Sequence, residues 1–438
     1  MIFTSKKVVF YSKNHFFSEL FSESAKTFSE NKKLYSQKAF ISAEHRCVKC
    51  LKQKETAKYL PKKKYFHNFA DYIRKRRMCM MMQNNDKYIL YDDNLKMYDA
   101  MLDDIGRAKR VIFLETFRFG RGAMGDKFLL ALYKKAKEGV SVKLLLDAWG
   151  TGRDLSYFQP IIEAGVEIRL YRKVRLTKGM LAKNHCRNHR KLLIIDSEIA
   201  YMGSSNITAY SVSWRELNLR TTDHKLLTVF RRSFRDSFRT YNKYDIPMVA
   251  SNKSYHIDDW TFIQEYPDSV RQRIKRKYEN LIRQAKKSII IETPYFLPGH
   301  NLRKELADAA KRGVDVRVHV PYNSDVRVVD IIRRHYAGIL HRAGIKFKFY
   351  VPANLHAKSV MIDGEIFSLS SANFDYRSFR YQYEIALVGK NPSIIQQLKQ
   401  HYAYTEQYSR DFDYDTWKQR SGIEKLVEWI LLPLRYFM

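Results

Sequence analysis

The strongest constraint on the fold is an internal repeat that extends from about residue 83 towards the C-terminus. In each copy an amphipathic helix leads into a strand, two further helices end near a glycine before a strand, and a His-x-Lys motif follows. Glycine just past the last helical turn is a common helix stop signal. Alternation of short β-rich runs with helices predicts an α/β architecture, and the repeat predicts two halves of common ancestry. The corresponding positions are Glu115 and Glu292, Gly139 and Gly313, Gly165 and Gly344, and His189 and His356.

The repeat divides the chain into four segments. The segment that precedes the repeat is rich in Lys and Arg and shows little helix or strand periodicity. Two interpretations of it remain open: a basic arm that docks on an anionic surface, or sequence upstream of the true start codon. The predicted segments are a basic N-terminal extension (1–82), a first domain (83–252), a second domain (253–408) and an amphipathic C-terminal tail (409–438).

Composition narrows the class of protein. A hydrophobic content of 45% and an aromatic content of 14% are typical of a globular protein and exclude disorder throughout the chain. The formal charge of +33 predicts attraction to a polyanion, either nucleic acid or an anionic lipid surface. Cys47 and Cys50 form a CxxC with no second pair at zinc spacing, so we interpret them as ordinary thiols. No run of 18 apolar residues occurs, which predicts a soluble or peripheral cytoplasmic protein without a transmembrane helix.

Each half carries the pattern His-x-Lys-x4-Asp. A single copy could arise by chance, but two copies inside a wider repeat are much harder to explain that way. Leu192–Ile195 is apolar and β-prone, which predicts a buried strand, and residues two apart share one face of an extended chain. An imidazole and a fixed positive charge can therefore reach the same phosphate. The candidate catalytic residues are His189, Lys191 and Asp196 in the first half, and His356, Lys358 and Asp363 in the second.

Small polar residues and an acid follow each motif. The Ser and Asn side chains could donate hydrogen bonds to phosphate oxygens, and the acid could accept the second ring N–H of a histidine and fix its tautomer. These candidates are Ser204, Asn206 and Glu216 after the first motif, and Ser371, Asn373 and Glu384 after the second.

Two histidines on opposite sides of one phosphorus predict double displacement at a phosphodiester. One would attack to form a covalent phosphohistidine, and the other would act as acid and base. The lysines and asparagines would bind the non-bridging oxygens. No carboxylate or Cys/His cluster with metal spacing accompanies the motifs, so we expect neither a metal nor another cofactor.

These residues resemble the phospholipase D superfamily, in which two such motifs form one site between two similar domains. The closer resemblance is to its bacterial cardiolipin synthases. It implies two α/β sandwich domains related by pseudo-twofold symmetry, with His189 as nucleophile and His356 as acid and base. It also implies phosphatidylglycerol as a substrate and cardiolipin as the product. The stretches that carry it include FLETFRFG, HRKLLIID with MGSSN, ETPYFLPG and LHAKSVMIDGEIFSLSSANFDYRSFRYQYE.

The chain departs from the family pattern in two ways. Ser370 stands where a glycine is usual, which would tighten the backbone beside the second motif. Many relatives also begin with transmembrane helices, so membrane attachment here should come from elsewhere. We expect a peripheral location on the cytoplasmic face of the cell membrane. The candidate attachments are a basic segment at 172–187 and the apolar stretch within 421–438, which could instead be a helix packed on the core.

Three activities remain open at this point. The first is phosphatidyl transfer to phosphatidylglycerol, with either phosphatidylglycerol or phosphatidylethanolamine as donor. The second is a hydrolytic phospholipase D, which uses the same residues but admits water. The third is a nuclease of the same superfamily, which the positive charge favours and the duplication disfavours. We therefore expect an anionic phospholipid membrane as partner and no specific nucleic acid, and the sequence identifies no protein partner.

Overall fold

The computed structural model describes the greater part of the repeat, and all of its described residues fall within one compact unit. The predicted extension 1–82 lies outside the described residues, as do most of the basic segment at 172–187 and the predicted domain boundary at 252. The described residues are 87–171, 186–241, 253–267 and 270–436.

The first half forms a mixed sheet with a central parallel part. Its strands are β1 (Tyr88–Tyr91), β2 (Val111–Thr116), β3 (Ser141–Asp147), β4 (Glu167–Tyr171), β5 (Arg187–Asn188), β6 (Leu192–Ile195), β7 (Ile199–Gly203) and β8 (Asn218–Thr221). Its helices are α1 (Asn94–Arg107), α2 (Ala123–Lys137), α3 (Gln159–Glu163) and α4 (His224–Thr240). The sheet order is β1-β8-β7-β6-β2-β3-β4, with β2, β3 and β4 parallel.

The second half repeats this plan. Its strands are β9 (Lys253–Ile257), β10 (Trp260–Glu265), β11 (Ser288–Glu292), β12 (Phe296–Leu297), β13 (Asp315–Pro321), β14 (Lys346–Tyr350), β15 (Ser359–Ile362), β16 (Ile366–Ser370), β17 (Phe374–Asp375), β18 (Gln382–Gly389) and β19 (Ser409–Asp411). Its helices are α5 (Arg273–Gln284), α6 (His300–Lys311), α7 (Arg327–Arg342), α8 (Tyr376–Tyr381), α9 (Pro392–Gln407), α10 (Tyr414–Lys418) and α11 (Gly422–Leu431). The main sheet order is β19-β14-β13-β11-β15-β16-β18-β10-β9.

Helices α4 and α9 lie between the two sheets. Helix α4 contacts β6 and β9, and α9 contacts β1 and β14, so each helix bridges both halves. Phe230, Phe234 and Phe238 recur every four residues along α4 and are buried in a core shared with Leu398 of α9. Burying each phenylalanine contributes about 1.5–3 kcal/mol. This shared core fixes the relative position of the two halves, and with it any site between them.

The helix–glycine–strand passages are confirmed. Gly139 and Gly313 have φ angles of 86° and 85°, in the left-handed region that ends a helix without a Cβ clash. The predicted buried strand after the first motif is β6, and all four of its residues are buried. The α/β fold with two similar halves is thus as expected.

Ser370 and Gly203 end equivalent strands, β16 and β7. The Ser370 hydroxyl donates to the Ile385 carbonyl oxygen at 3.0 Å and accepts the Ala372 N–H at 2.9 Å, so the departure from the family's glycine is accommodated. A Cβ at Gly203 would lie 2.3 Å from the Leu217 carbonyl oxygen. Only the first half therefore requires a glycine here.

The C-terminal residues continue the second half. Strand β19 pairs with β14 at the edge of the second sheet, which therefore extends past the predicted domain end at 408. Helices α10 and α11 both pack on α7. Among the described residues, no helix combines the length and the apolar character needed to cross a membrane.

Candidate active site between the two halves

Each motif is anchored by backbone from the opposite half. The short strand β5 runs parallel to β18, and the His189 N–H donates to the Tyr383 carbonyl oxygen at 3.0 Å. In the other direction, the His356 N–H donates to the Arg215 carbonyl oxygen at 2.7 Å. The two histidines are therefore positioned by reciprocal contacts across the interface.

His189 is buried and its tautomer is fixed. Its Nδ1 lies 3.0 Å from the Ser371 carbonyl oxygen and 3.1 Å from Glu384 Oε1. A carbonyl oxygen only accepts, so Nδ1 carries the proton and Nε2 keeps its lone pair. Burial, followed by the positive charges of Lys191 and Lys358, lowers the pKa of His189 well below its ordinary value. The ring is therefore neutral at pH 7.

His356 has the same arrangement with a different carboxylate. Its Nδ1 lies 2.8 Å from Glu216 Oε1, and Lys358 Nζ donates to its Nε2 at 3.2 Å. An ammonium group only donates, so Nδ1 is again the protonated nitrogen. Burial lowers the pKa of His356, while Glu216 opposes the shift. Burial would raise the pKa of Glu216, but His356 and Lys358 bring it below its ordinary value, so Glu216 is ionised.

The pairing of histidine with acid is crossed. The acid that follows the first motif, Glu216, binds the histidine of the second motif, and Glu384 binds His189. The sequence predicted the acids but not this exchange. The two acids also differ, because burial raises the pKa of Glu384 to about 7 while Glu216 stays ionised.

Each motif lysine contacts the backbone of the histidine two residues before it. Lys191 Nζ donates to the His189 carbonyl oxygen at 2.6 Å, and Lys358 Nζ donates to the His356 carbonyl oxygen at 2.6 Å. Burial lowers the pKa of Lys191 to about 7 and that of Lys358 to about 8. A bound anion would restore the full charge of both, because it favours the protonated form.

One cleft of about 200 Å³ receives residues from both halves. Its lining includes both histidines, both asparagines and aromatic side chains. Phe117 packs edge-on against the His189 ring at a centroid distance of 5.3 Å, and Trp214 lies 5.0 Å from the His356 ring. Aromatic walls of this kind lower the local dielectric constant, which strengthens electrostatic interactions beside the two rings.

Asn206 and Asn373 occupy equivalent positions on the cleft wall. Their side-chain oxygens are buried and have no hydrogen-bond partner within the described part of the chain. A buried amide without partners is costly unless a ligand satisfies it. Because the O and N atoms of an amide can exchange places by rotation, either group can present N–H donors to a ligand.

Ser204 and Ser371 turn away from the cleft. The Ser204 hydroxyl accepts the Leu217 N–H at 2.9 Å, and the Ser371 hydroxyl donates to Glu384. The Ser371 hydroxyl also accepts the Ile385 N–H at 3.0 Å. These serines tie each motif segment to the strand beside it, and Ser371 also contacts the acid that holds His189.

The two aspartates of the motifs lie away from the histidines, and each carboxylate binds backbone N–H groups of a neighbouring strand. Four strand residues separate Asp196 from Lys191, which is roughly 15 Å of extended chain. Its carboxylate accepts the backbone N–H groups of Lys109, Arg110 and Val111 at 2.7, 2.7 and 2.9 Å.

Asp363 does the same in the second half, where it accepts the N–H groups of Lys286, Lys287 and Ser288. Both aspartates also have positive φ angles, 52° and 56°. They hold the motif strand to the start of its neighbour, and from these contacts we infer a structural role.

Asp196→Asn should lower the free energy of unfolding by about 2–3 kcal/mol, because three charge-assisted hydrogen bonds weaken. Asn still tolerates the left-handed backbone. Burial raises the pKa of Asp196, but the N–H donors bring it below its ordinary 3.8. The stabilisation should therefore be complete above pH 3.8 and be lost as the pH falls through the lowered pKa. Urea unfolding at several pH values measures the difference.

Glu198→Gln is the matched control, since Glu198 is exposed and pairs with Arg110 in the same turn. It should change stability by less than about 0.5 kcal/mol. Unchanged stability in Asp196→Asn, together with lost turnover, would contradict the structural role.

A group of buried polar residues behind the first motif was not predicted. Asp147 accepts the Asn188 N–H at 2.9 Å and lies 3.7 Å from Arg187. Burial raises the pKa of Asp147 to about 6, against the opposing charge of Arg187. The Asn188 amide donates to Glu115 at 2.7 Å. One sequence feature could have indicated this group: Asp147 directly follows the apolar run LLL at the end of a predicted strand.

The described residues contain no group of three or more His, Cys, Asp or Glu side chains placed to hold a metal ion. The expectation of a metal-independent reaction stays a prediction.

The sequence is similar to those of known cardiolipin synthases in both halves of the chain. The family described as "Cardiolipin synthase, PLD-like domain" matches residues 101–237 and 278–405, one match in each half. A cardiolipin synthase from Clostridium perfringens is 30% identical over 84% of this chain and 84% of its own. One from Listeria welshimeri is 33% identical over 73% of this chain and 69% of its own.

Among solved structures, the phosphatidylserine synthase of Haemophilus influenzae has a similar fold. It aligns with a TM-score of 0.65 over 81% of this chain and 96% of its own, at 14% identity. The matched segments contain both His-x-Lys motifs and both acids that bind the histidines. The chain therefore belongs to the phospholipase D-like cardiolipin synthase family.

Proposed function

We propose that this chain is a cardiolipin synthase that transfers a phosphatidyl group to phosphatidylglycerol through a phosphohistidine. The observation that carries the proposal is the crossed pairing of two buried histidines, each held at Nδ1 by a carboxylate of the other half, in one cleft. A neutral imidazole at His189, with its Nε2 lone pair available, and a second histidine held by the ionised Glu216 suit a double displacement. The names of the relatives support phospholipid substrates.

His189 is the better nucleophile. Its pKa is lowered well below the ordinary value, and its Nδ1 proton is held by Ser371 and Glu384, so Nε2 presents a lone pair. Glu384, with a pKa of about 7, places less negative charge beside this ring than Glu216 places beside the other. The His189 ring therefore stays neutral until it attacks.

His356 is the better acid and base. The ionised Glu216 stabilises an imidazolium at His356, and a phosphodiester entering the cleft adds a second negative charge. Both raise the pKa of His356 when substrate binds. Lys358, which donates to Nε2 before substrate binds, can then turn towards a phosphate oxygen.

The reaction balances in two steps. In the first, His356 has taken a proton from solvent at Nε2 on substrate binding; His189 Nε2 attacks phosphorus, the bond to the headgroup oxygen breaks, and His356 gives this Nε2 proton to that oxygen. Phosphatidyl-His189 remains and the headgroup alcohol leaves. In the second, His356 takes the proton from a hydroxyl of phosphatidylglycerol, that oxygen attacks phosphorus, and the nitrogen–phosphorus bond breaks. With phosphatidylglycerol as donor the products are cardiolipin and glycerol, and with phosphatidylethanolamine ethanolamine leaves instead of glycerol.

The residues that bind phosphate come from both halves. Lys191 and Lys358 supply charge. The amides of Asn206 and Asn373, whose oxygens have no hydrogen-bond partner in the described part of the chain, supply N–H donors to the non-bridging oxygens after rotation. Negative charge grows on these oxygens as phosphorus becomes five-coordinate, so donors already in place stabilise the transition state.

Hydrolysis is the competing outcome at the same residues, since water could replace the acceptor alcohol. The aromatic walls beside both histidines favour a lipid acceptor because they limit entry of water. The proposed location is the cytoplasmic face of the cell membrane, where the protein would act peripherally on anionic phospholipid and without a specific nucleic acid.

Lipid extraction and mass spectrometry test the proposal after expression in a bacterial host that lacks cardiolipin. Cardiolipin should accumulate with the parent chain and be absent with His189→Ala at equal protein level. Feeding isotope-labelled phosphatidylglycerol or phosphatidylethanolamine identifies the donor. Phosphatidic acid without cardiolipin would establish the hydrolase, and equal cardiolipin from the variant would overturn the mechanism.

A further inference from the structure

The last helix of the described chain presents its apolar side to solvent. Along α11, Ile423, Leu426, Val427 and Ile430 follow the i, i+3, i+4, i+7 spacing of one helical face, and all are exposed. Trp429 beside them is 69% exposed. A contiguous apolar surface of this kind on a soluble domain marks an interaction site.

Charged groups hold the middle of this helix against α7, and Leu431 at its end packs on the apolar core that α7 helps to form. Glu428 is buried and lies 3.1 Å from Arg420 and 3.5 Å from His335 of α7. At its start, the Ser421 hydroxyl accepts the Glu424 N–H while the Glu424 carboxylate accepts the Ser421 N–H. The contacts of Glu428 with Arg420 and His335 place the polar side of α11 inward and its apolar face outward.

Aromatic and basic residues connect this face to the active-site cleft. Just after α11, Tyr436 packs edge-on against Tyr376 of α8 at 4.9 Å. The guanidinium of Arg435 lies over the Tyr436 ring and that of Arg380 over the Tyr376 ring, at 4.6 and 5.4 Å. Tyr376 stands between Asp375 and Arg377, both of which line the cleft.

We propose that the exposed face of α11 and the adjoining Tyr376–Tyr436 pair dock on an anionic phospholipid bilayer, next to the cleft mouth. This rests on the proposed function, because a phosphatidyl donor and a lipid acceptor both reside in a bilayer and must reach the cleft from it. Tryptophan and aliphatic side chains on one face of a helix enter the headgroup boundary, while tyrosine and arginine stay at headgroup level. Arg380, Arg435 and the exposed Lys425 complement anionic headgroups.

A second copy of the chain is a poorer occupant. A ten-residue helix is about 15 Å long and presents a face about 10 Å wide. That area is far below the roughly 800 Å² per partner that stable protein interfaces bury. A bilayer needs no complementary protein surface, and a short face beside the cleft is enough to orient the enzyme on it.

Vesicle binding of the full chain provides the test. Replacing Leu426, Trp429 and Ile430 together by Ser should reduce partitioning onto phosphatidylglycerol vesicles at least tenfold. The matched control replaces Leu130 and Tyr133, exposed apolar residues of α2 in the other half, by Ser and should bind like the parent. Both variants should keep the parent's melting temperature and its turnover of dihexanoyl phosphatidylglycerol below its micelle concentration. Only the triple variant should lose turnover on vesicles.

A single substitution, Trp429→Phe, keeps the apolar face and should still bind. In the parent, bromine-labelled lipid should quench the tryptophan fluorescence, and most of this quenching should be absent in Trp429→Phe. Unchanged partitioning of the triple variant would overturn the docking site, and so would a parent dimer that this variant converts to monomer. If the parent binds vesicles through this face but turns over neither form of phosphatidylglycerol, the proposed function fails while the docking site stands.

Discussion

His189→Ala should form no covalent intermediate, whereas His356→Ala should still form one from an activated substrate. With phosphatidylglycerol as donor, each variant should lose more than about 10³-fold in turnover, because one lacks the nucleophile and the other the proton donor. Phosphatidyl-p-nitrophenol separates the two defects. Its leaving group departs without a proton, so attack by His189 no longer needs His356.

The measurement is the pre-steady-state release of nitrophenolate together with intact-protein mass. His356→Ala should release one equivalent per site and gain the mass of a phosphatidyl group on His189. His189→Ala should show neither. The reverse result would exchange the two roles, and a burst in both variants would place the nucleophile elsewhere. Melting temperatures near that of the parent exclude a loss of fold.

Glu216→Gln should reduce turnover by roughly 10²-fold or more, while Glu384→Gln should have a much smaller effect. Replacing the acid that orients a catalytic histidine is costly because both the tautomer and the stabilisation of the imidazolium depend on it. Glu216 is ionised beside His356. Glu384 has a pKa of about 7 and is half protonated near neutrality, so glutamine resembles a form that the parent already populates.

The pH profile of turnover adds an independent readout. Glu216 raises the pKa of both His356 and Lys358, and the pKa of Lys358 is about 8. Removing the anion disfavours their cationic forms, so both pKa values should fall and the alkaline limb of the profile should move to lower pH. Equal losses in the two glutamine variants, with an unmoved alkaline limb, would contradict the assignment of His356 as the acid.

The fold was predictable because its signals are local and repeated. The glycines after α2 and α6, the apolar strand β6 and the spacing of the two motifs each specify a short stretch of chain. The repetition of these signals indicated two halves and one shared site. The residues within hydrogen-bond reach of the histidines were also identifiable, since an acid follows each motif at a similar distance.

Three features were not predictable from the sequence because they depend on contacts between distant segments. Which acid binds which histidine is decided by packing across the interface, and a pattern within one half is silent about it. The aspartates of the motifs bind backbone N–H groups more than 70 residues earlier in the chain, which no motif spacing reveals. The polar side of α11 faces inward where Arg420 and His335 meet Glu428, and the sequence of α11 alone does not show these partners.

The crossed carboxylates have a consequence for how such a site can evolve. In a dimer of identical halves, symmetry would give both histidine–acid pairs the same proton affinity, and either histidine could attack. Joining the halves in one chain removes that equivalence, so Glu216 and Glu384 can differ in charge while each still serves the other half's histidine. A substitution near one motif then tunes the chemistry of the opposite one. The fused chain can fix the order of events, with one histidine committed to bonding phosphorus and the other to moving protons.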